Sequence, residues 1–128
     1  METLPGYIQG IILPQAQDEK LATYTKILKK EDGLLDFNQS AVTLARKVRA
    51  FDPWPGTYLP IGSDNLKVKR AHPEEGSFQP GRHGIWNGTP AIATAQGLLV
   101  LDEVQPSGRR SMTGRAFLSG ARDWLDPV

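Results

Sequence analysis

Residues 57–72 read TYLPIGSDNLKVKRAH, and the spacing of this stretch decides the fold. Apolar and basic residues alternate in Leu66-Lys67-Val68-Lys69, a period of two that is typical of a strand with one buried face. Gly62-Ser63-Asp64 interrupts the pattern with residues that favour a turn. We therefore expect strands at 57–61 and 65–72, the second with a basic outer face.

The downstream sequence continues with short strands. Residues 82–86 and 91–95 flank Asn87-Gly88, a pair that favours the tight turn of a hairpin. Leu98 to Val104 is a mostly apolar run, which predicts a buried strand. A short helix is expected at 113–119, with Ser111 as its cap and Gly120 after its end.

One helix is predicted before the strands. Ala41, Leu44, Ala45 and Val48 recur at the spacing of a helix face, so we expect a helix over 40–50 that Ser40 or Asn38 caps. The proline-rich turn that follows ends the helix. Two short helices and five strands indicate a mainly β domain, and strands this short favour a small five-stranded barrel of the oligonucleotide-binding (OB) type over a sandwich.

Composition narrows the class of protein. The chain has 128 residues, of which 39% are hydrophobic and 23% charged, and no cysteine. We expect either one soluble domain or a domain with an appended segment, in both cases without disulfides or thiolate metal sites. No run approaches the roughly 18 apolar residues of a membrane span, and no signal peptide is recognisable. A cytoplasmic location is the simplest expectation.

The net charge of +1 conceals an uneven distribution. Between residues 20 and 70, ten Lys and Arg stand against five Asp and Glu. Arg109-Arg110 follow a turn-like Pro-Ser-Gly sequence, which should expose both. Such runs are as often plain solvated faces as binding surfaces, so the charge alone leaves both interpretations open.

No catalytic or metal-binding spacing is present. His72 and His83 are too far apart for a helical ligand pair, and Asp102-Glu103 are consecutive on a strand, so their side chains should face opposite ways. Residues 76–83 have the glycine spacing of a phosphate loop but lack its Lys and Ser/Thr. We predict no catalytic residue and no metal site. Most aromatic side chains should be core residues rather than stacking platforms for bases.

Several segments together resemble a known family. AVTLARKVRAFDPWPG at 41–56 is similar to the opening helix and turn of the C-terminal domain of methionyl-tRNA formyltransferases. Residues 98–120 resemble its closing strand, its Q-P-x-G-K/R-x-M turn and its F-L-x-G helix. Residues 66–71 resemble a strand of its barrel, and residues 22–33 resemble the interdomain linker.

The resemblance implies where the chain divides into segments and which function each segment has. Residues 1–13 would be the end of a catalytic domain, 14–35 the linker and 36–128 the C-terminal β-barrel domain. In the family, 10-formyltetrahydrofolate and the catalytic Asn, His and Asp belong to an N-terminal domain whose signatures do not occur here. The chain should therefore hold no cofactor and be inactive by itself as part of a formyltransferase.

The implied partners are the initiator Met-tRNA and the N-terminal catalytic domain in cis, with neither membrane nor DNA. The expected tRNA-binding residues are basic side chains of the linker, the barrel strand and the late turn: Lys26, Lys29, Lys30, Lys67, Lys69, Arg70, Arg109 and Arg110. Arg46 and Lys47 are secondary candidates on the helix. Two alternatives remain: the scaffold domain of a related sugar-nucleotide formyltransferase, and a free-standing oligonucleotide-binding barrel.

Overall fold

A computed structural model describes residues 3–121 and 124–125. The α-helices are α1 (Thr3–Ile8), α2 (Ala41–Ala50) and α3 (Gly114–Leu118), and two 3-10 helices span Glu19–Leu21 and Lys30–Gly33. The strands are β1 (Thr57–Ile61), β2 (Asp64–Glu74), β3 (His83–Trp86), β4 (Thr89–Ala93), β5 (Leu98–Pro106) and β6 (Met112–Thr113). None of the described helices has the length and apolar character that crossing a bilayer requires.

All six strands belong to one antiparallel sheet. Its order is β1-β2-β5-β4-β3, and β6 pairs with β5. The two longest strands, β2 and β5, lie side by side at its centre. Because β5 pairs with β4 through Leu98–Val100 and with β6 through Glu103–Val104, β4 and β6 are attached to different halves of the same strand.

The core lies where α2 packs on β2 and β5. Leu44 and Val48 of the helix are buried together with Leu66, Leu101 and Val104 of the sheet. This is the apolar face that the helical spacing predicted. Ser40 accepts a hydrogen bond from the Thr43 amide at 3.2 Å, so the predicted cap is confirmed.

The cap of α3 differs from the prediction. Thr113, not Ser111, accepts the hydrogen bond from the Ala116 amide, at 3.2 Å. The chain remains extended through β6 to Thr113. The helix therefore begins at Gly114, two residues after the position at which a helix capped by Ser111 would begin. The Ser111 hydroxyl donates instead to a Glu103 carboxylate oxygen.

The prediction of a small, mainly β domain is confirmed, but the sheet is not closed into the expected five-stranded barrel. A sixth short strand is present, and β1 and β3 remain the two ends of the strand order. At the β1 end, Leu34 forms a parallel bridge with Tyr58. At the β3 end, the Trp124 indole donates to the Gly84 carbonyl at 2.7 Å. A closed barrel would require β1 to pair with β3. Non-strand segments occupy the outer edges of both strands instead.

The N-terminal segment contains more structure than its irregular sequence predicted. Residues 3–8 form the helix α1, none of whose residues is buried. The apolar side chains of this helix and of the residues that follow are exposed, among them Ile8, Ile11 and Leu13. Burial begins at Gly33 and Leu35, where the predicted linker meets the sheet.

Trp124, near the end of the described chain, packs against β3 and forms hydrogen bonds with it. Its indole stacks on the His83 ring with centroids 4.2 Å apart, and Phe117 meets it edge-on at 5.6 Å. The His83 Nδ1 lies 3.0 Å from the Trp124 carbonyl oxygen. Burial lowers the pKa of His83 below its ordinary 6.5, and the hydrogen bond to the Trp124 carbonyl opposes this only in part.

This lowered pKa predicts a loss of stability on mild acidification. Below about pH 6.5 the unfolded chain binds a proton that folded His83 resists, so the stability of the fold decreases as pH falls. The melting temperature should therefore decrease between pH 7.5 and 5.5. The decrease should be smaller in His83→Phe, which keeps an aromatic ring against Trp124.

The chain has two histidines, so His72→Gln is the matched control and should retain the His83-dependent decrease. Thermal melts followed by circular dichroism would measure both variants. Equal pH dependence of His83→Phe and the unmodified chain would contradict the prediction.

Candidate nucleic-acid interface

The predicted basic strand face is built from a row of cross-strand partners. Tyr58 of β1 is opposite Lys67 of β2, which is opposite Gln105 of β5. Cross-strand partners share one face of a sheet, and neighbouring strands lie about 4.8 Å apart. The three side chains therefore form a row about 10 Å wide, and the Lys67 side chain at its centre is exposed.

The late basic turn is attached to the end of this row. The Gln105 side-chain amide donates to the Arg109 carbonyl at 3.0 Å. Gly108 in the same turn has a φ of 68°, a backbone conformation that favours glycine. Arg109 and Arg110 are both exposed. Lys67 and Arg109 are thus linked through Gln105 although they are distant in sequence.

A β-bulge places Arg70 on the outer face. Strict alternation would put Arg70 on the side of Leu66 and Val68, but the register shifts between Val68 and Arg70 and leaves Lys69 without a partner. Arg70 is exposed, whereas its neighbour Ala71 is buried. An extra residue in one strand re-aims the side chains that follow it, so Lys67 and Arg70 share the exposed face.

Lys69 is less accessible than Lys67. Its ammonium lies 3.9 Å from an Asp52 carboxylate oxygen. Both side chains are partly exposed, so this pair adds little to stability. It places a negative charge beside Lys69, however, which reduces its attraction for a phosphate.

The predicted linker is bound to the edge of β1. The Leu35 amide donates to the Tyr58 carbonyl at 3.0 Å, next to the Leu34–Tyr58 bridge. The preceding turn is closed by the Lys29 amide, which donates to the Asp32 carboxylate at 2.7 Å. Lys29 and Lys30 are therefore exposed near the Tyr58 end of the row.

Gly33 permits this close approach. A Cβ on Gly33 would collide with the Gly56 carbonyl oxygen, so the 3-10 turn can lie against the chain before β1 only with glycine at this position.

Lys26 and Lys47 line a groove between the linker and α2. The groove encloses about 470 Å³, and Ile27, Leu28 and Phe51 form its apolar part. The Lys47 ammonium donates to the Leu34 carbonyl at 2.8 Å and lies 5.5 Å from the Phe51 ring centroid. Lys47 thus holds the linker to the helix, whereas Arg46 is exposed on α2.

An acidic cluster borders the basic face and was not expected from the sequence. The His72 Nδ1 lies 2.8 Å from an Asp102 carboxylate oxygen, and its Nε2 lies 3.5 Å from Glu74. A second register shift leaves Asp102 without a partner on β5, which lets it meet His72. No spacing in the sequence reveals such a contact between two strands.

The titratable side chains form no candidate metal centre in the described part of the chain. The described residues contain no group of three His, Cys, Asp or Glu placed to hold a metal ion. Asp36 has a lowered pKa because the Asn38 backbone amide, and then the Asn38 side chain, donate to its carboxylate. That contact closes a local turn before α2.

The sequence profile described as "Formyl transferase, C-terminal domain" matches residues 27–122. The chain belongs to this family. It is 39% identical over 125 residues to the methionyl-tRNA formyltransferase of Herpetosiphon aurantiacus, covering 95% of this chain and 41% of that protein. The corresponding enzyme of Chloroflexus aurantiacus (strain J-10-fl) is 41% identical over 126 residues, with coverages of 94% and 40%. The chain thus spans about two fifths of the length of these relatives.

A solved structure shares the fold of this formyltransferase C-terminal domain. HypX from Aquifex aeolicus, in a multiply substituted variant, matches with a TM-score of 0.65 and 20% identity over 99% of this chain and 23% of that protein. The resemblance of the sequence to the C-terminal domain of methionyl-tRNA formyltransferases is confirmed by the family match and by these relatives.

The anchoring role of Lys47 predicts a change in the linker of this formyltransferase C-terminal domain. Lys47→Met removes the hydrogen bond to the Leu34 carbonyl, so the linker should detach from α2 more often. Trypsin should then cleave after Lys26, Lys29 and Lys30 several times faster, as mass spectrometry of the first products would measure.

Arg46→Met is the matched control, because it removes the same charge from the exposed neighbouring position. Linker cleavage that is equally fast in both variants would mean that Lys47 does not hold the linker.

Proposed function

We propose that this chain is the tRNA-positioning domain of a methionyl-tRNA formyltransferase. It would hold the initiator Met-tRNA while the N-terminal catalytic domain of the longer enzyme transfers the formyl group from 10-formyltetrahydrofolate. The observation that carries the proposal is the exposed row from the linker lysines across Lys67 to Arg109. The relatives are named for Met-tRNA formylation, which supports tRNA as the nucleic acid.

The chemistry of the row suits an RNA backbone. Lysine and arginine attract phosphates without reading sequence, and they position the nucleic acid for groups elsewhere. Folded RNA is recognised mostly by its shape and backbone, so cations spread over a face are more useful here than one deep pocket. We propose Lys26, Lys29, Lys30, Lys67, Arg70, Arg109 and Arg110 as phosphate contacts, with Lys69 and Arg46 contributing less.

The proposal assigns no chemical step to this chain. Formyl transfer and folate binding would belong to the catalytic domain in cis, and this part would supply affinity and orientation. A cytoplasmic location follows from a role in translation initiation.

Two features support RNA binding over the alternatives. A scaffold domain for a sugar-nucleotide enzyme has no need of the exposed cations on and beside the row, among them Lys67, Arg109 and Arg110. A free-standing single-strand binder is disfavoured by the relatives, which are named methionyl-tRNA formyltransferases and of which this chain spans about two fifths.

Charge reversal at the centre of the row should weaken tRNA binding. Lys67→Glu removes one phosphate contact and adds a repulsive charge, so the Kd for initiator tRNA at low salt should rise about tenfold, or ~1.4 kcal/mol. The slope of log K against log salt should become shallower by about 0.7 to 0.9. Fluorescence anisotropy with labelled tRNA would measure both quantities.

Arg82→Glu is the matched control. Arg82 is exposed just before β3, and β3 is three strand positions away from β2 in the sheet. Equal effects of the two reversals would show that only net charge matters. If the unmodified chain does not associate with tRNA at low salt, the proposal is wrong.

A second prediction concerns the full-length enzyme. Replacing Lys29, Lys30, Lys67 and Lys69 together by Glu should lower kcat/KM for Met-tRNA by at least tenfold, because the tRNA is no longer held. Hydrolysis of the folate donor without tRNA should stay unchanged, which would show that the catalytic domain is intact. Formylation at the unmodified rate would instead favour the scaffold role.

A further inference from the structure

A second surface feature lies at the end of the basic row. A cleft of about 470 Å³ opens between the β1–β2 hairpin, the turn after β5 and the helix α3. Its size falls within the range of small-molecule sites in proteins. The residues that matter for its chemistry are Ile61, Met112 and Phe117 on its walls and Asp64, Asn65 and Ser107 at its rim.

The walls of the cleft present a partly exposed apolar surface. Ile61, Met112 and Phe117 are partly buried and pack against the core cluster. Their positions are therefore held by the fold, while part of each side chain remains accessible from the cleft. A thioether and an aromatic ring are surfaces on which a planar base packs favourably.

The rim carries groups that can pair with a base. Asp64 and Asn65 are exposed at the start of β2, and Ser107 is exposed in the turn opposite. Carboxylate, amide and hydroxyl groups provide both acceptors and donors for the edge of a base. The combination of apolar walls with a few polar groups is typical of a ligand site.

A cation lies among the lining residues of the cleft. Arg109 is one of them, and its backbone is held by the Gln105 side chain. Its guanidinium forms no ion pair with the other described residues. Because Gln105 pairs with Lys67 across the sheet, a backbone that follows the row reaches the cleft through Arg109.

Two other grooves of the sheet lack this combination. The groove beside α2 and the end of β2 is lined by Glu74 and Glu75, which repel phosphate. The groove near β3 contains Arg82 but lies at the opposite end of the strand order. Only the cleft at α3, among these three, adjoins the basic row.

We propose that this cleft binds one unstacked ribonucleotide, with its base between Met112 and Phe117 and its phosphate at Arg109. The inference rests on the proposed tRNA role and adds to it a pocket for a single-stranded nucleotide beside the backbone-binding row. Single-stranded RNA should therefore enter the cleft, whereas a blunt duplex should bind the row alone.

Methionine methyl signals provide a direct test. The chain has two methionines, Met1 and Met112, so a sample labelled with ¹³C at the methionine methyl groups gives two signals, which Met112→Leu assigns. Hexauridylate should shift the Met112 signal saturably, and a blunt 12-base-pair RNA duplex should leave it in place. A Met112 signal that does not move at saturating hexauridylate would overturn the proposal.

Blocking the cleft provides the matched comparison. Ala116 is exposed and lines the cleft, and Ala95 is exposed and lines the acidic groove. Ala116→Trp should weaken hexauridylate binding at least tenfold with duplex affinity unchanged, while Ala95→Trp should weaken neither.

The outcomes separate the two proposals. Hexauridylate binding to Ala116→Trp that is as tight as binding to Ala95→Trp would overturn the nucleotide cleft. If tRNA still binds with strong salt dependence in that case, the positioning role stands without the cleft. If no RNA binds the unmodified chain, both proposals fail.

Discussion

The pairing of β2 with β5 is the constraint on which the rest of the structure depends. It joins the two longest strands along nearly their whole length and provides the surface on which α2 packs. Val68 and Val104 are opposite each other on the buried face, and Lys67 and Gln105 are opposite each other on the exposed face. A slip of one residue would exchange the faces, and would bury the lysine. Burial of the core therefore also determines where the cations point.

The two register shifts make this surface possible. One shift leaves Lys69 unpaired in β2 and the other leaves Asp102 unpaired in β5, so each strand carries one extra residue and the pairing resumes at Ala71. Between the shifts, Arg70 turns outward beside Lys67, and Asp102 reaches His72. The two shifts thus add Arg70 to the basic face and place the Asp102 carboxylate at its border.

Local patterns predicted the elements well. The helix α2 and the strand β1 begin and end within a residue of their expected bounds, because the apolar spacing and the turn residues around them are strong. The sequence did not reveal that the sheet stays open. Closure depends on which segments occupy the outer edges of β1 and β3. Leu34 and Trp124 occupy them through contacts with Tyr58 and Gly84, and neither contact leaves a periodic signal.

The sequence by itself determined the class of the domain, its family and the list of cations, because these follow from local spacing, motifs and composition. Only the tertiary structure decided what each cation contacts. Lys47, unremarkable beside Arg46 in sequence, is held by the Leu34 carbonyl, whereas Lys67 and Arg109 are joined through Gln105. The physical reason is that hydrogen bonds between distant segments depend on strand register and on the course of the linker, and a one-dimensional pattern contains neither.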